Sequence, residues 1–254
     1  MKLHRWGYAG KLALLLKSSL KLKTNAGFCP TCNRKTFFVK DNGDYDRDFL
    51  ECLRCGSLPR QRMFMLALEM YCPDWRNKNM HESSPGSSAS FYMEDQCKQY
   101  SSSQYFPDLK GGEYKDGFRC ENLEALTFAD NTFDVFVSQE VMEHVFDPEK
   151  AFSEIARVLK PGGVHIFTTP LVPKIMTRKR ATISAKGEVT HLFEPSYHGN
   201  PVDPNGSLLT YDWGTDFPIL IQEWSGMTTT TYKYVDKKMG LVGELCEAFI
   251  SFKS

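Results

Sequence analysis

Four of the chain's eight cysteines are grouped as Cys29-Pro-Thr-Cys32 and, nineteen residues later, Cys52-Leu-Arg-Cys55. Two CxxC knuckles at this spacing suit a tetrahedral four-thiolate zinc site, because each pair lets two sulfurs reach one ion from a tight turn. Pro30 inside the first knuckle and Gly56 after the second suit such turns. Four protein ligands leave no open position for water or substrate. The expected ion at Cys29, Cys32, Cys52 and Cys55 therefore organises the fold and performs no chemistry. The span from Asn33 to Glu51 is too short and polar to build its own core, which is why a metal is needed there. Unligated thiols or disulfides are the alternative. Cys72, Cys97, Cys120 and Cys246 have no ligand spacing and read as buried reduced thiols.

Three histidines, His144, His191 and His198, are candidates for a general base, because imidazole is the side-chain type suited to proton transfer near neutrality. Two of them fall in a stretch of about forty residues, 171–212, without clear periodicity. Loops of that length are usually functional. Each histidine also has a plainer reading as a surface or packing residue, and Glu143-His144 one as helix-terminus capping.

These groups need a scaffold, and after Pro59 the pattern alternates helix and strand. Gln61 to Tyr71 has helical apolar spacing, and Asn79 to Ser83 reads as a short strand. Phe133 to Ser138 is a continuous apolar strand of the kind buried on both faces of a parallel sheet. Asp147-Pro148-Glu149 then supplies an N-cap, a first-turn proline and an acidic side chain at the positive end of a helix. That helix carries Ala151, Phe152, Ile155, Val158 and Leu159 on one face. Pro161-Gly162-Gly163 is expected to stop it before a strand from Val164 to Thr168. Strand, helix and strand make one right-handed crossover unit. Thr228 to Tyr234 and Cys246 to Phe252 read as two more strands, forming a closing pair.

With 254 residues, and roughly 150 per domain, one domain plus an appendage is expected. Lys and Arg balance Asp and Glu at 31 each, so no overall field draws the chain to nucleic acid, and no specific nucleic-acid partner is expected. The balance is uneven: residues 1–62 hold thirteen basic side chains against five acidic ones. The first twenty-five residues imitate a secretory leader poorly, since Lys17 cuts the apolar run Leu12 to Leu16 short and no small-residue cleavage site follows. They read as a basic amphipathic segment lying on the body, with weak membrane-surface contact as the alternative. No apolar run approaches a membrane span. A cytoplasmic location is expected, in keeping with unpaired cysteines.

The run Asn131-Thr-Phe-Asp-Val-Phe-Val-Ser-Gln-Glu-Val-Met-Glu-His-Val145, followed by Ala151 to Lys160 and Pro-Gly-Gly, resembles class I S-adenosylmethionine-dependent methyltransferases of the type 11 group. The resemblance covers roughly residues 60–254. The cysteine segment ending in Gly-Ser-Leu-Pro-Arg-Gln-Arg62 resembles the N-terminal part of one subgroup. It implies a Rossmann-like α/β fold, with a seven-stranded sheet, helices on both faces and the last strand antiparallel. A zinc-ribbon module precedes that fold. The domains expected are a basic segment at 1–26, the ribbon at 27–59 and the methyltransferase domain at 60–254, with 171–212 as an insertion covering the acceptor.

The resemblance places Glu82, Ser83, Ser84 and Gly86 in the first strand-to-helix turn beneath the cofactor. Ser84 stands where a glycine is usual, and its side chain narrows the approach. The cofactor's carboxylate is expected over the amides of Gly86 to Ser88. Asp108 is the best-placed acceptor for the ribose hydroxyls, and is equally readable as a solvated turn aspartate. Glu121, Asn122 and Leu123 flank the adenine, and Ser138 and Gln139 face the meeting point of cofactor and acceptor. Methyl transfer from a sulfonium is an in-line displacement that needs no metal, so positioning and exclusion of water are most of the task. The expected acceptor is a small molecule or saccharide. Methylation of protein or RNA, or a non-catalytic binding module on the same fold, are the alternatives.

Overall fold

The computed structural model describes residues 24–40, 50–199 and 205–254. The basic segment expected over 1–26 lies outside the described residues up to position 23, and 24–26 already belong to the first strand. Chain order begins with strands β1 (Thr24–Cys29), β2 (Arg34–Lys40) and β3 (Leu50–Cys52), which form an antiparallel sheet of their own. Helix α1 (Pro59–Tyr71) leads into β4 (Asn79–Ser83), α2 (Ser88–Gln96) and β5 (Gln99–Gln104). A short hairpin, β6 (Tyr114–Lys115) and β7 (Phe118–Cys120), precedes β8 (Phe133–Gln139), α3 (Pro148–Val158) and β9 (Leu159–Thr168). The insertion holds β10 (Arg178–Lys179), β11 (Ala181–Ile183), β12 (Val189–His191), β13 (Tyr197–His198), β14 (Ser207–Leu208) and β15 (Tyr211–Asp212). Helix α4 (Phe217–Ser225) and strands β16 (Thr228–Tyr232) and β17 (Ala248–Phe252) close the chain.

The main sheet runs β16-β17-β9-β8-β4-β5-β7-β6. Strands β7, β5, β4, β8 and β9 are mutually parallel, and β17 inserts antiparallel beside β9. This is the expected seven-stranded Rossmann-like sheet with its last strand reversed, extended at one edge by the two-residue β6. Chain order reverses between β4 and its neighbour β8. In an open α/β sheet that switch point, at the carboxyl ends of the strands, is where ligands bind.

Alternation along the buried strands explains why helices cover both faces. Val135 and Val137 of β8, Ile166 of β9 and Ile250 of β17 point to one side, where they meet Met63, Phe64 and Leu68 of α1 and Met93 of α2. Phe136, Phe167 and Phe249 point to the other, against Phe152 and Ile155 of α3 and Phe217 of α4. The Asp147 side chain caps α3 by accepting from the Lys150 amide at 3.1 Å.

Pro161-Gly162-Gly163 behaves differently from the expectation. The strand begins at once with Leu159 beside Phe133, and the next described pair is Val135 with Val164. The three residues are bulged out between those pairs instead of separating helix from strand, with Gly162 at φ 74°. The ribbon docks closely on the body: a Cβ at Gly27 would sit 1.9 Å from the Lys238 carbonyl oxygen, so only glycine fits in β1 there.

Candidate active site

In the ribbon, the four sulfurs of Cys29, Cys32, Cys52 and Cys55 all lie within 4.8 Å of one another, and Cys29 and Cys55 are 3.8 Å apart. A tetrahedral ion with 2.3 Å bonds to sulfur holds its ligands about 3.8 Å apart, so the donor set fits zinc. All four are free thiols. The ribbon also reaches the body's first loop, where Ser88 Oγ donates to the Cys55 carbonyl at 2.6 Å.

That loop follows β4 at the switch point. Glu82 is fully buried, and its carboxylate takes three donors. Ser90 Oγ reaches Oε1 at 2.7 Å, Gln139 Nε2 reaches Oε1 at 3.0 Å, and Tyr100 OH reaches Oε2 at 2.5 Å. Burial pushes the Glu82 carboxyl up to about 7, although the hydrogen bonds from Tyr100, Ser90 and Gln139 oppose the rise. Ser83 is buried beside it. Ser84 adopts φ 54°, the left-handed region, which explains why glycine is favoured at this turn. Its amide donates to the Ser103 carbonyl at 2.8 Å, closing the bend onto β5. A Cβ at Gly86 would meet nothing within 4 Å, so space opens above that backbone. The amides of Gly86 and Ser87 donate to Ser90 Oγ at 3.2 and 3.1 Å, and Ser87 caps α2.

The other expected cofactor residues are distributed unevenly. Gln139 joins the Glu82 network from β8 and accepts from Ser87 Oγ at 3.1 Å. Ser138 is buried and turns its hydroxyl to His165 Nε2 at 3.1 Å, into the core. Asp108 lies exposed in a turn past the end of β5. Glu121 is buried and held by Arg119 Nε and Thr127 Oγ1, each at 2.6 Å. Asn122 Oδ1 accepts from the Glu124 amide at 3.0 Å, and Leu123 packs into the core. Sequence reading missed Tyr100 and Ser90. They lie 18 and 8 residues from Glu82 and come to it only through the pairing of β4 with β5 and the cap of α2.

Two of the three candidate bases converge. Glu143 and His144 occupy a single helical turn, Met142–His144, just past β8, while His198 arrives on β13 of the insertion. His144 Nε2 lies 4.0 Å and His198 Nδ1 3.8 Å from Glu143 Oε1. The insertion is tied down here: Thr210 N and Oγ1 donate to the Glu143 carbonyl at 2.8 and 2.9 Å. Burial raises the Glu143 carboxyl, but His198 and His144 outweigh it and hold it below the usual carboxylate range. His191 lies apart, exposed on β12 opposite Ala181.

A family described as "Methyltransferase domain" matches residues 85–167, the segment from the glycine turn through β9. Residues 85–167 are thus similar to a methyltransferase domain. Relatives of that domain include the ubiquinone biosynthesis O-methyltransferase of Parvibaculum lavamentivorans, 44% identical over 52 residues, which are 20% of this chain and 21% of that one. The ubiquinone/menaquinone biosynthesis C-methyltransferase UbiE of Klebsiella pneumoniae is 48% identical over 54 residues, 20% of this chain and 22% of that one. The chain thus spans about a fifth of the length of the curated relatives it matches. A solved S-adenosylmethionine-dependent methyltransferase from Mesorhizobium loti aligns at 13% identity and TM-score 0.49, over 74% of this chain and 97% of that one. The Rossmann-like layout of the sheet stands on its own strand order.

Proposed function

We propose that this chain transfers a methyl group from S-adenosylmethionine to a small-molecule or saccharide acceptor, and that its ribbon carries a structural zinc ion at Cys29, Cys32, Cys52 and Cys55. The observation that carries the reading is the buried Glu82 carboxyl beside the open space over Gly86, at the switch point of the sheet. The relatives named for ubiquinone and menaquinone biosynthesis support a small-molecule acceptor. Domain limits of 27–59 for the ribbon and 60–254 for the methyltransferase body, with 171–212 over the acceptor, are part of the same reading, as is a cytoplasmic location.

When bound, the cofactor supplies an electrophilic methyl group on a sulfonium. Glu82 offers its carboxylate to the cofactor's ammonium once Gln139 releases Oε1, and Asp108, Glu121 and Asn122 are the side chains left for the rest of the expected nucleoside path, since Ser138 and Leu123 turn into the core. The zinc ion holds the knuckles together. If the acceptor is a hydroxyl, its proton goes to an imidazole of the Glu143 cluster as the new bond to carbon forms and the bond to sulfur breaks. His198 is the more exposed of the two imidazoles there, and His191 is the remaining candidate.

Calorimetric titration of the full chain with S-adenosylmethionine tests this. Binding that weakens in Glu82→Ala and Asp108→Ala is the expected result. No heat at saturating cofactor would leave a binding module on a methyltransferase fold. A second reading, a protein or RNA acceptor, is favoured by one feature: among the described residues, Phe28 and Phe37 lie exposed on the ribbon face that also carries Lys35. Turnover on a macromolecule that falls steeply with salt would favour it.

A further inference from the structure

We infer that Glu143, His144 and His198 form a second metal site, distinct from the cysteine cluster, for one divalent transition-metal ion of the zinc or cobalt type. The inference concerns binding and stands whether or not the domain transfers methyl groups.

One carboxylate oxygen and one nitrogen from each imidazole lie within 4.8 Å of one another. The measured separations from Glu143 Oε1 are 3.8 Å to His198 Nδ1 and 4.0 Å to His144 Nε2. These are too long for hydrogen bonds. Ligands bonded to one ion at about 2.1 Å sit about 3.0–3.4 Å apart, so the two carboxylate–imidazole gaps close with shifts of about half an ångström.

The surroundings aim these atoms at a common point. Thr169 Oγ1 donates to Glu143 Oε2 at 2.7 Å, which leaves Oε1 directed at the histidines. Oε1 is buried, has no hydrogen-bond partner, and belongs to a side chain only 1% exposed. A carboxylate oxygen stripped of water and of donors is costly unless a cation completes it. His144 Nδ1 lies 2.8 Å from the Leu208 carbonyl, to which it donates, so Nε2 carries the lone pair facing Glu143. A histidine whose other nitrogen donates to a backbone carbonyl is the usual arrangement of a metal ligand.

Imidazole and carboxylate donors favour zinc, cobalt, nickel or iron over magnesium or calcium, and three protein ligands leave positions open for water or an oxygen-bearing ligand. With an ion in place both imidazoles are ligands and no longer free bases, so the base role proposed above belongs to the metal-free cluster and passes to His191 when the ion is bound. His198 comes from the insertion and the other two from the turn after β8, so the ion would also pin the insertion to the sheet.

The test is titration of the full chain, loaded with one equivalent of zinc, with Co²⁺ alone. The expected result is one further equivalent of Co²⁺ showing weak d–d bands without the thiolate-to-cobalt absorption of a cysteine site. His198→Ala and Glu143→Gln should each abolish that equivalent. Thr169→Val should weaken it about ten- to a hundredfold. His198 lies at the surface and Glu143→Gln is isosteric, so loss of fold is not the outcome read. No second equivalent, or an affinity unchanged in His198→Ala, overturns the inference. Calorimetry with S-adenosylmethionine is a separate measurement, so failure of either reading leaves the other standing.

Discussion

Gln139 Nε2 donates to Glu82 Oε1 over 3.0 Å, joining the carboxyl ends of β8 and β4 across the point where strand order reverses. On the proposed cofactor reading, a group that reaches Glu82 Oε1 competes with this bond, and the pair acts as a latch of the site. Gln139→Ala is expected to strengthen S-adenosylmethionine binding or leave it unchanged, and Glu82→Gln to weaken it at least tenfold. Calorimetry on both variants checks the pair, and equal weakening by the two would contradict the latch.

The same carboxyl makes stability depend on pH. Glu82 rises from 4.5 to about 7 on folding, so the folded chain holds this proton more tightly than the unfolded one. Its contribution is fully present below pH 4.5 and is lost as pH climbs through about 7, a loss of roughly 3 kcal/mol. Buried His81 and His165, each depressed to about 3 by burial, act in the opposite direction, adding stability as pH rises from about 3 to 6.5. The difference between wild type and Glu82→Gln isolates the carboxyl. Urea denaturation at pH 5 and pH 7.5 should show wild type losing about 2–3 kcal/mol relative to the variant.

Gly86 and Ser84 separate cofactor contact from folding. A methyl at Gly86 meets nothing in the protein, so Gly86→Ala should leave stability within about 0.5 kcal/mol of wild type. Its S-adenosylmethionine affinity should fall at least tenfold, because the added carbon fills the space above the backbone. Ser84→Gly relieves a left-handed residue and should raise stability by about 0.5–1 kcal/mol. Thermal unfolding and calorimetry on the same samples decide both.

Removing metal from the ribbon should be felt in the first loop. Chelation under reducing conditions is expected to lower the unfolding temperature and expose Cys29, Cys32, Cys52 and Cys55 to thiol reagents. Because Ser88 Oγ holds the Cys55 carbonyl at 2.6 Å, cofactor affinity should fall as well. Ser88→Ala should reproduce part of that fall with the metal retained. Unchanged thiol reactivity on chelation would count against the zinc assignment.

Arg62 is the rivet between ribbon and body. Its guanidinium is fully buried and donates to the Ser57 carbonyl, and at 2.7 Å each to those of Leu50 and Gly240. Burial lowers its pKa, and the neighbouring Cys29, Cys52 and Cys55 oppose that shift. The side chain also lies over the Phe38 ring at 4.6 Å. Arg62→Met leaves three buried carbonyls without this donor and should cost about 3–5 kcal/mol in denaturant unfolding. Arg62→Lys should recover only a fraction, because a single ammonium cannot match the planar fork.

Short-range patterns were legible in the chain itself. The two CxxC pairs, the Asp147-Pro148 start of α3 and the apolar run of β8 depend on residues a few positions apart, and local chemistry dictates each of them. The Glu82-to-Gly86 turn was readable only through the family resemblance, and of the helices and strands the sequence marked α1, β4, β8, α3 and the closing pair β16 and β17, but not α4 or the short strands of the insertion. Tertiary structure decided which side chains meet. Ser138 points into the core because alternation along β8 and pairing with β9 bring it to His165, 27 residues away. Stretch 171–212 had no period to read, since among the described residues its two-residue and three-residue strands are stabilised by long-range partners such as Asp212 with Arg178 and Arg180. For the same reason His198 and Glu143, 55 positions apart, could be named separately from sequence, but their convergence is a product of how the insertion folds back on the end of β8.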